Sequence, residues 1–142
     1  MVVVAAIDRS KEAKFVIEEG MRLAEAFNDS LHVIHAVPST EFAELQREHV
    51  SSTDDEGGML DRDDVAAQQV RELVGDDTDL RVVGLDGEPA ESIIEYAEDH
   101  DARYIVVGGR KHSRTGKAIF GSTTQSVLLD TDHTVVVEHL HE

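Results

Sequence analysis

The stretch GEPAESIIEYAEDHDARYIVVGG, Gly87 to Gly109, carries a helix and a strand with their punctuation. Pro89 opens the helix, where a missing N–H costs little and the fixed φ suits the first turn. Ile93, Ile94 and Ala97 recur at helical spacing and predict its buried face. Tyr104 to Val107 is then a continuous apolar run, stopped by Gly108 and Gly109. A strand apolar at every position is buried on both sides, the habit of parallel sheets covered by helices.

The same alternation extends in both directions. Val2 to Ile7 predicts a first strand, ended by Asp8, Arg9 and Ser10. Ala13, Val16, Ile17, Gly20, Ala24 and Phe27 fall on one face of a helix, with Ser10 as the expected N-cap. Leu31 to Val37 is the second strand, stopped by Pro38. Pro38 to Gly58 lacks periodicity and predicts a long loop, with at most a short helical turn at Phe42 and Leu45. Val65, Ala66, Gln69, Val70, Leu73 and Val74 mark a further helix, and Leu80 to Leu85 a third strand. Gly121 to Leu129 predicts the last helix and Thr134 to Val137 the last strand. The order βαβαβαβαβ predicts one α/β domain over residues 1–142, an open parallel sheet with helices on both faces.

Composition narrows the partners. The formal net charge is −17, so phosphate-rich duplexes are repelled and nucleic acid is not the expected partner. Aromatic residues are only 4% of the chain, too few for a base-stacking platform. No apolar run reaches the roughly 18 residues of a membrane span. The N-terminal stretch lacks a basic leader and reads as a strand, so a cytoplasmic location is expected. With no cysteine, thiolate metal sites and cysteine nucleophiles are excluded. The acids are spread along the chain and lysines are scarce, a pattern of proteins from a high-salt cytoplasm, where self-repulsion is screened.

Against this acidity, Gly108 to Gln125 contains no acid and four bases, Arg110, Lys111, Arg114 and Lys117. In an open doubly wound sheet, ligands bind beyond the carboxyl ends of the strands where the strand order reverses. If the first and fourth strands are neighbours, Asp8 faces the Gly108 loop across that crevice. Gly108 and Gly109 would let the backbone turn and approach a ligand. Gly121, Ser122 and Thr123 would offer N–H groups and hydroxyls at a helix N-terminus, an anion site. Asp8 suits hydrogen bonds to ribose hydroxyls. Other phosphate motifs fail. Between Gly109 and the Gly116-Lys117 pair the spacing is too long for a P-loop, and Ala118 stands where the magnesium-binding hydroxyl belongs. The first strand leads into IDRSKEA rather than a dinucleotide fingerprint. A receiver domain would need paired acids where Asp8 stands alone.

The histidines point away from metal. His32 and His35 lie three apart on a strand and so face opposite sides. His139 and His141 share a face beside Glu138 at the chain's end, where fraying is the simpler reading.

At the basic loop the chain resembles the universal stress protein family. The family pattern is a glycine, two residues, a second glycine, nine residues, then Gly-Ser or Gly-Thr. Gly108 fills the first position, and His112 to Phe120 separate Lys111 from Gly121-Ser122. VVVAAIDRSKEA resembles the opening strand, LHVIHAVP the second, and GEPAESIIEYAEDHDARYIVVGGR the third helix with the fourth strand. The GGRK and FGS elements resemble a haloarchaeal form. The resemblance implies strand order 3-2-1-4-5 and a homodimer through the C-terminal strand, residues 134–138. It implies ATP or a related adenine nucleotide, with or without Mg2+, with slow hydrolysis at most. Asp8 would hold the ribose, Ala36 would offer its backbone to adenine, and Val107 and Gly108 would line ribose and phosphates. Gly121, Ser122 and Thr123 would bind phosphate, with Arg110 and Lys111 adding charge. One position departs from the pattern: Lys111 replaces the second glycine. That departure supports an alternative, a dimeric module that binds no nucleotide and docks a protein partner or a simple anion.

Overall fold

The computed structural model describes residues 1–52, 61–75, 80–111 and 118–140. In chain order the elements are β1 (Val2–Ile7), α1 (Ala13–Phe27), β2 (Ser30–Ala36), α2 (Ser39–Ser52), α3 (Arg62–Val74) and β3 (Arg81–Leu85). They continue as α4 (Pro89–Asp99), β4 (Ala102–Lys111), β5 (Ala118–Ile119), α5 (Ser122–Asp130) and β6 (Val135–Leu140). Five strands pair in parallel in the order β3-β2-β1-β4-β6. Counting only the parallel strands, this is the expected order 3-2-1-4-5. The short β5 adds an antiparallel pairing to the end of β4, Arg110 with Ile119 and Lys111 with Ala118.

Strand alternation divides the core in two. Val3, Ala5, Ile7, Leu31, Val33 and Val106 face α1 and α3. Val4, Ile34, Ile105 and Val107 face α4 and α5. Helix α1 buries Ala13, Val16, Ile17, Gly20 and Ala24 of the stripe read from the sequence, while Phe27, at its last turn, is exposed and packs against Tyr104 instead. Gly20 lets the helix lie close to the sheet, since a Cβ there would stand 2.9 Å from a Leu31 methyl.

Helix α2 corrects the expected loop after Pro38. Its residues favour helix individually, but it has no broad apolar stripe, so periodicity missed it. Phe42 anchors it beneath the Arg62 guanidinium, 4.3 Å from the ring centroid. Arg62 also donates to the Val37 carbonyl at 3.1 Å and pairs with Asp86 at 3.0 Å. Helix α3 begins earlier than expected because Asp61 and Asp64 form a reciprocal capping box. The start of α3 then presses on β3. A Cβ at Gly84 would fall 2.0 Å from the Arg62 carbonyl oxygen, so only glycine fits there.

The two β2 histidines face opposite sides, as the strand period requires. His32 is buried against α4, its Nδ1 2.8 Å from the Tyr96 hydroxyl. His35 is buried on the other face. Burial holds His32 below the ordinary value of 6.5, and Arg81 and His100 push it the same way. Burial also lowers His35 and is assisted by Arg9, against the opposing pull of Glu41 and Asp8. Both histidines therefore take up a proton less readily in the fold than in the unfolded chain, so each destabilises the fold as pH falls through 6.5. The many carboxylates also titrate on acidification, so the effect is read by difference. His35→Leu should gain melting temperature relative to the native protein as pH is lowered from about 7.5 to about 5.5. A difference that stays constant with pH in circular-dichroism melts would contradict this.

Candidate functional site

The reversal of strand order beside β1 opens a cleft of about 480 Å3 at the carboxyl ends of the strands. Asp8 and Arg9 enter it from the end of β1, His35 and Ala36 from β2, and Val107 and Gly108 from β4. Gly121, Ser122, Thr123 and Thr124 enter from the start of α5, and Glu41 from α2.

Asp8 follows the last residue of β1 and shapes the turn that leaves it. One carboxylate oxygen accepts from the Ser10 N–H at 2.9 Å and from the Ser10 hydroxyl at 2.6 Å. This corrects the expected cap: Ser10 serves Asp8, and α1 starts at Ala13 behind Glu12, whose side chain makes no capping bond. Gln69 of α3 donates to the Asp8 carbonyl at 3.1 Å, pinning the turn from outside. Arg9 pairs with Glu41 at 3.4 Å, both lining the cleft.

The glycines after Val107 do not turn the chain. Gly108 and Gly109 are interior to β4. Their lack of a side chain is a packing requirement. A Cβ on Gly108 would meet Leu140 at 2.7 Å and Val16 at 3.3 Å, and one on Gly109 would meet the Phe120 ring at 2.6 Å. Lys111 closes the strand opposite Ala118. Positive φ among the described residues is confined to Asn28, Asp101, Gly75 and Gly87, so Lys111 occupies a backbone position that any side chain accepts.

Helix α5 begins at Gly121, which brings no side-chain cap to the first-turn N–H groups. That is the chemistry of an anion site. Thr124 fixes the distance between the two halves, its hydroxyl donating to the Gly108 carbonyl at 3.0 Å. Gln125 donates back to the Phe120 carbonyl at 2.9 Å.

Seven residues expected at a nucleotide site therefore line one cleft: Asp8, Ala36, Val107, Gly108, Gly121, Ser122 and Thr123. The backbones of Arg110 and Lys111 continue β4 beyond Gly108, and the roles expected of their side chains lie outside the described residues. Arg114 and Lys117 lie outside them too, as does His141. Arg9, His35, Glu41 and Thr124 were not among the expected residues. Arg9 was signalled by adjacency to Asp8, and His35 by sharing a strand face with Leu31 and Val33. Glu41 depends on an unforeseen helix.

The fold is a doubly wound α/β protein with a cleft at its switch point. The universal stress protein family profile matches residues 1–139, and the chain belongs to that family. A stress response protein of Bacillus subtilis, NhaX, is 43% identical over 53 residues. That match spans 37% of this chain and 32% of NhaX. A universal stress protein in complex with cAMP superposes with TM-score 0.64 at 20% identity, over 99% of this chain and 98% of that one. An Archaeoglobus fulgidus universal stress protein in complex with dAMP gives TM-score 0.55 at 20% identity, over 96% of this chain and 94% of that one.

The tie between Thr124 and Gly108 is open to test. Thr124→Val keeps the shape and removes the hydroxyl, and should cost about 1 kcal/mol in urea unfolding. An unchanged unfolding midpoint would mean the bond contributes nothing.

Proposed function

We propose that this chain is a cytoplasmic stress-response protein that binds ATP or a related adenine nucleotide in the cleft and acts as a sensor or regulatory module. One observation carries the reading. The Asp8 carboxylate and the uncapped start of α5 stand on the two sides of a single cleft at the switch point. A nucleotide laid across it has its base by the Ala36 backbone and its ribose by Asp8. Its phosphates lie along Gly108, Ser122 and Thr123, where N–H groups, hydroxyls and the helix dipole all favour negative charge. Arg110 and Lys111 add positive charge near that end, and Mg2+ would accompany the phosphates of ATP. The adenine nucleotides held by the cAMP and dAMP complexes accord with the choice of base. Any hydrolysis is slow, and the consequence of binding is a change in what the protein docks.

Calorimetry and thermal melts with ATP, with and without Mg2+, in molar KCl test the reading. ATP at about 100 times its Kd should stabilise the fold by about 2.7 kcal/mol. Asp8→Ala should weaken binding at least tenfold, since a hydrogen bond to a charged group contributes about 1.5–3 kcal/mol. No heat and no stabilisation at millimolar nucleotide would sink it.

Lys111, at a family glycine, favours a second reading: a module that binds no nucleotide and docks a protein partner or a simple anion. If the native protein ignores ATP while Lys111→Gly binds it, that reading stands.

We also propose a homodimer through the C-terminal strand, residues 134–138. Among the described residues β6 pairs only with β4, which leaves its other edge for a second copy. Val135, Val136 and Val137 are only partly buried in the single chain. Sedimentation in molar KCl at micromolar concentration should give twice the chain mass. A monomer there would dismiss the dimer.

A further inference from the structure

Helix α2 carries little packing of its own. None of its side chains from Ser39 to Glu48 is buried. Yet the chain entering it supplies a wall of the cleft, because Pro38 and Glu41 line the space beside Ala36. Where that wall stands depends on two neighbouring residues of the first turn. Glu41 pairs with Arg9 at 3.4 Å, but both side chains are partly exposed, and salt screens such a pair. Phe42 lies against the face of the Arg62 guanidinium, whose carbon is 4.3 Å from the ring centroid.

Arg62 is itself fixed at two points. Its Nε donates to the carbonyl of Val37, just past β2, at 3.1 Å. Its Nη2 pairs with Asp86, just past β3, at 3.0 Å. These bonds use the edge of the guanidinium and leave its face to the ring. The side chain is not needed to start α3, which Asp61 and Asp64 cap reciprocally.

We infer that Arg62 is a positioning residue of the cleft: through Phe42 it holds α2 as the wall against which the base of the nucleotide rests. The inference rests on the nucleotide reading above and adds to it the device that sets the base end. Neither Arg62 nor Phe42 lines the cleft; both act through Pro38 and Glu41. The Phe42 N–H donates to the Pro38 carbonyl at 2.9 Å, so ring and wall belong to one turn. A lysine at position 62 would keep the charge but lose the planar fork. It could not serve Val37, Asp86 and the ring together.

The experiment measures ATP and tripolyphosphate by calorimetry on the native protein, Arg62→Lys, Phe42→Leu and Phe42→Tyr. Tripolyphosphate has no base and reports the phosphate end alone. Arg62→Lys and Phe42→Leu should each weaken ATP about fivefold and leave tripolyphosphate unchanged. Phe42→Tyr keeps a ring for the guanidinium and should bind ATP within about twofold of native. Adding Phe42→Leu to Arg62→Lys should cost no more than Arg62→Lys alone, since the shared contact is already lost. Amide hydrogen exchange of unliganded Arg62→Lys should speed up in α2 and keep the native rate in α3. ATP affinity untouched by Arg62→Lys, or equal loss of ATP and tripolyphosphate, overturns the positioning role and leaves the nucleotide reading intact. So do additive losses in the double variant, a Tyr variant no better than Leu, or exchange that quickens in α3 and not in α2. A native protein that binds no ATP overturns both readings together.

Discussion

The structure depends on β1 being paired on both edges, with β2 on one side and β4 on the other. Chain connections run outward from β1 in opposite directions, so α1 covers one face and α4 the other. At the carboxyl end of β1 these coverings part, and the cleft is the space they leave. Every candidate ligand group is a strand end or a helix start held by this arrangement. Asp8 is where it is because Ile7 is the last paired residue of β1.

Steric limits on glycine then set how tightly the halves close. Gly84 receives the Arg62 carbonyl, Gly108 the Leu140 and Val16 side chains, and Gly109 the Phe120 ring. None of the three has positive φ, so none is glycine for the sake of a turn. Their role is to let a helix or a crossing side chain approach the sheet closely. Thr124 exploits that closeness to reach the Gly108 carbonyl, which holds the start of α5 over the cleft.

Much of this was legible in the chain because strands and amphipathic helices advertise themselves by period. The unbroken apolar runs at Val2–Ile7 and Tyr104–Val107 named a parallel sheet. The dyad of Asp8 and Gly121-Ser122-Thr123 followed from the switch-point rule. Helix α2 was missed because a helix that touches the body mainly through Phe42 needs no wide apolar stripe. The glycine pair was assigned to a turn because a sequence does not distinguish absence of a Cβ for torsion from absence for space. The roles of Ser10 and Arg9 hung on partners two and thirty-two residues away.

The sequence by itself determined the class of fold, the strand order once the family resemblance was seen, and seven of the residues that meet at the carboxyl end of the sheet. Those are consequences of local period and connection rules, which are written within short windows. Only the tertiary structure decided which polar atoms remain without partners after packing. His35 looks like any strand histidine in the chain, and only packing shows that burial removes the water from its Nδ1 while no neighbour replaces it. Lys111 is harmless to the backbone for the same kind of reason: the pairing of β4 with β5 makes its position extended.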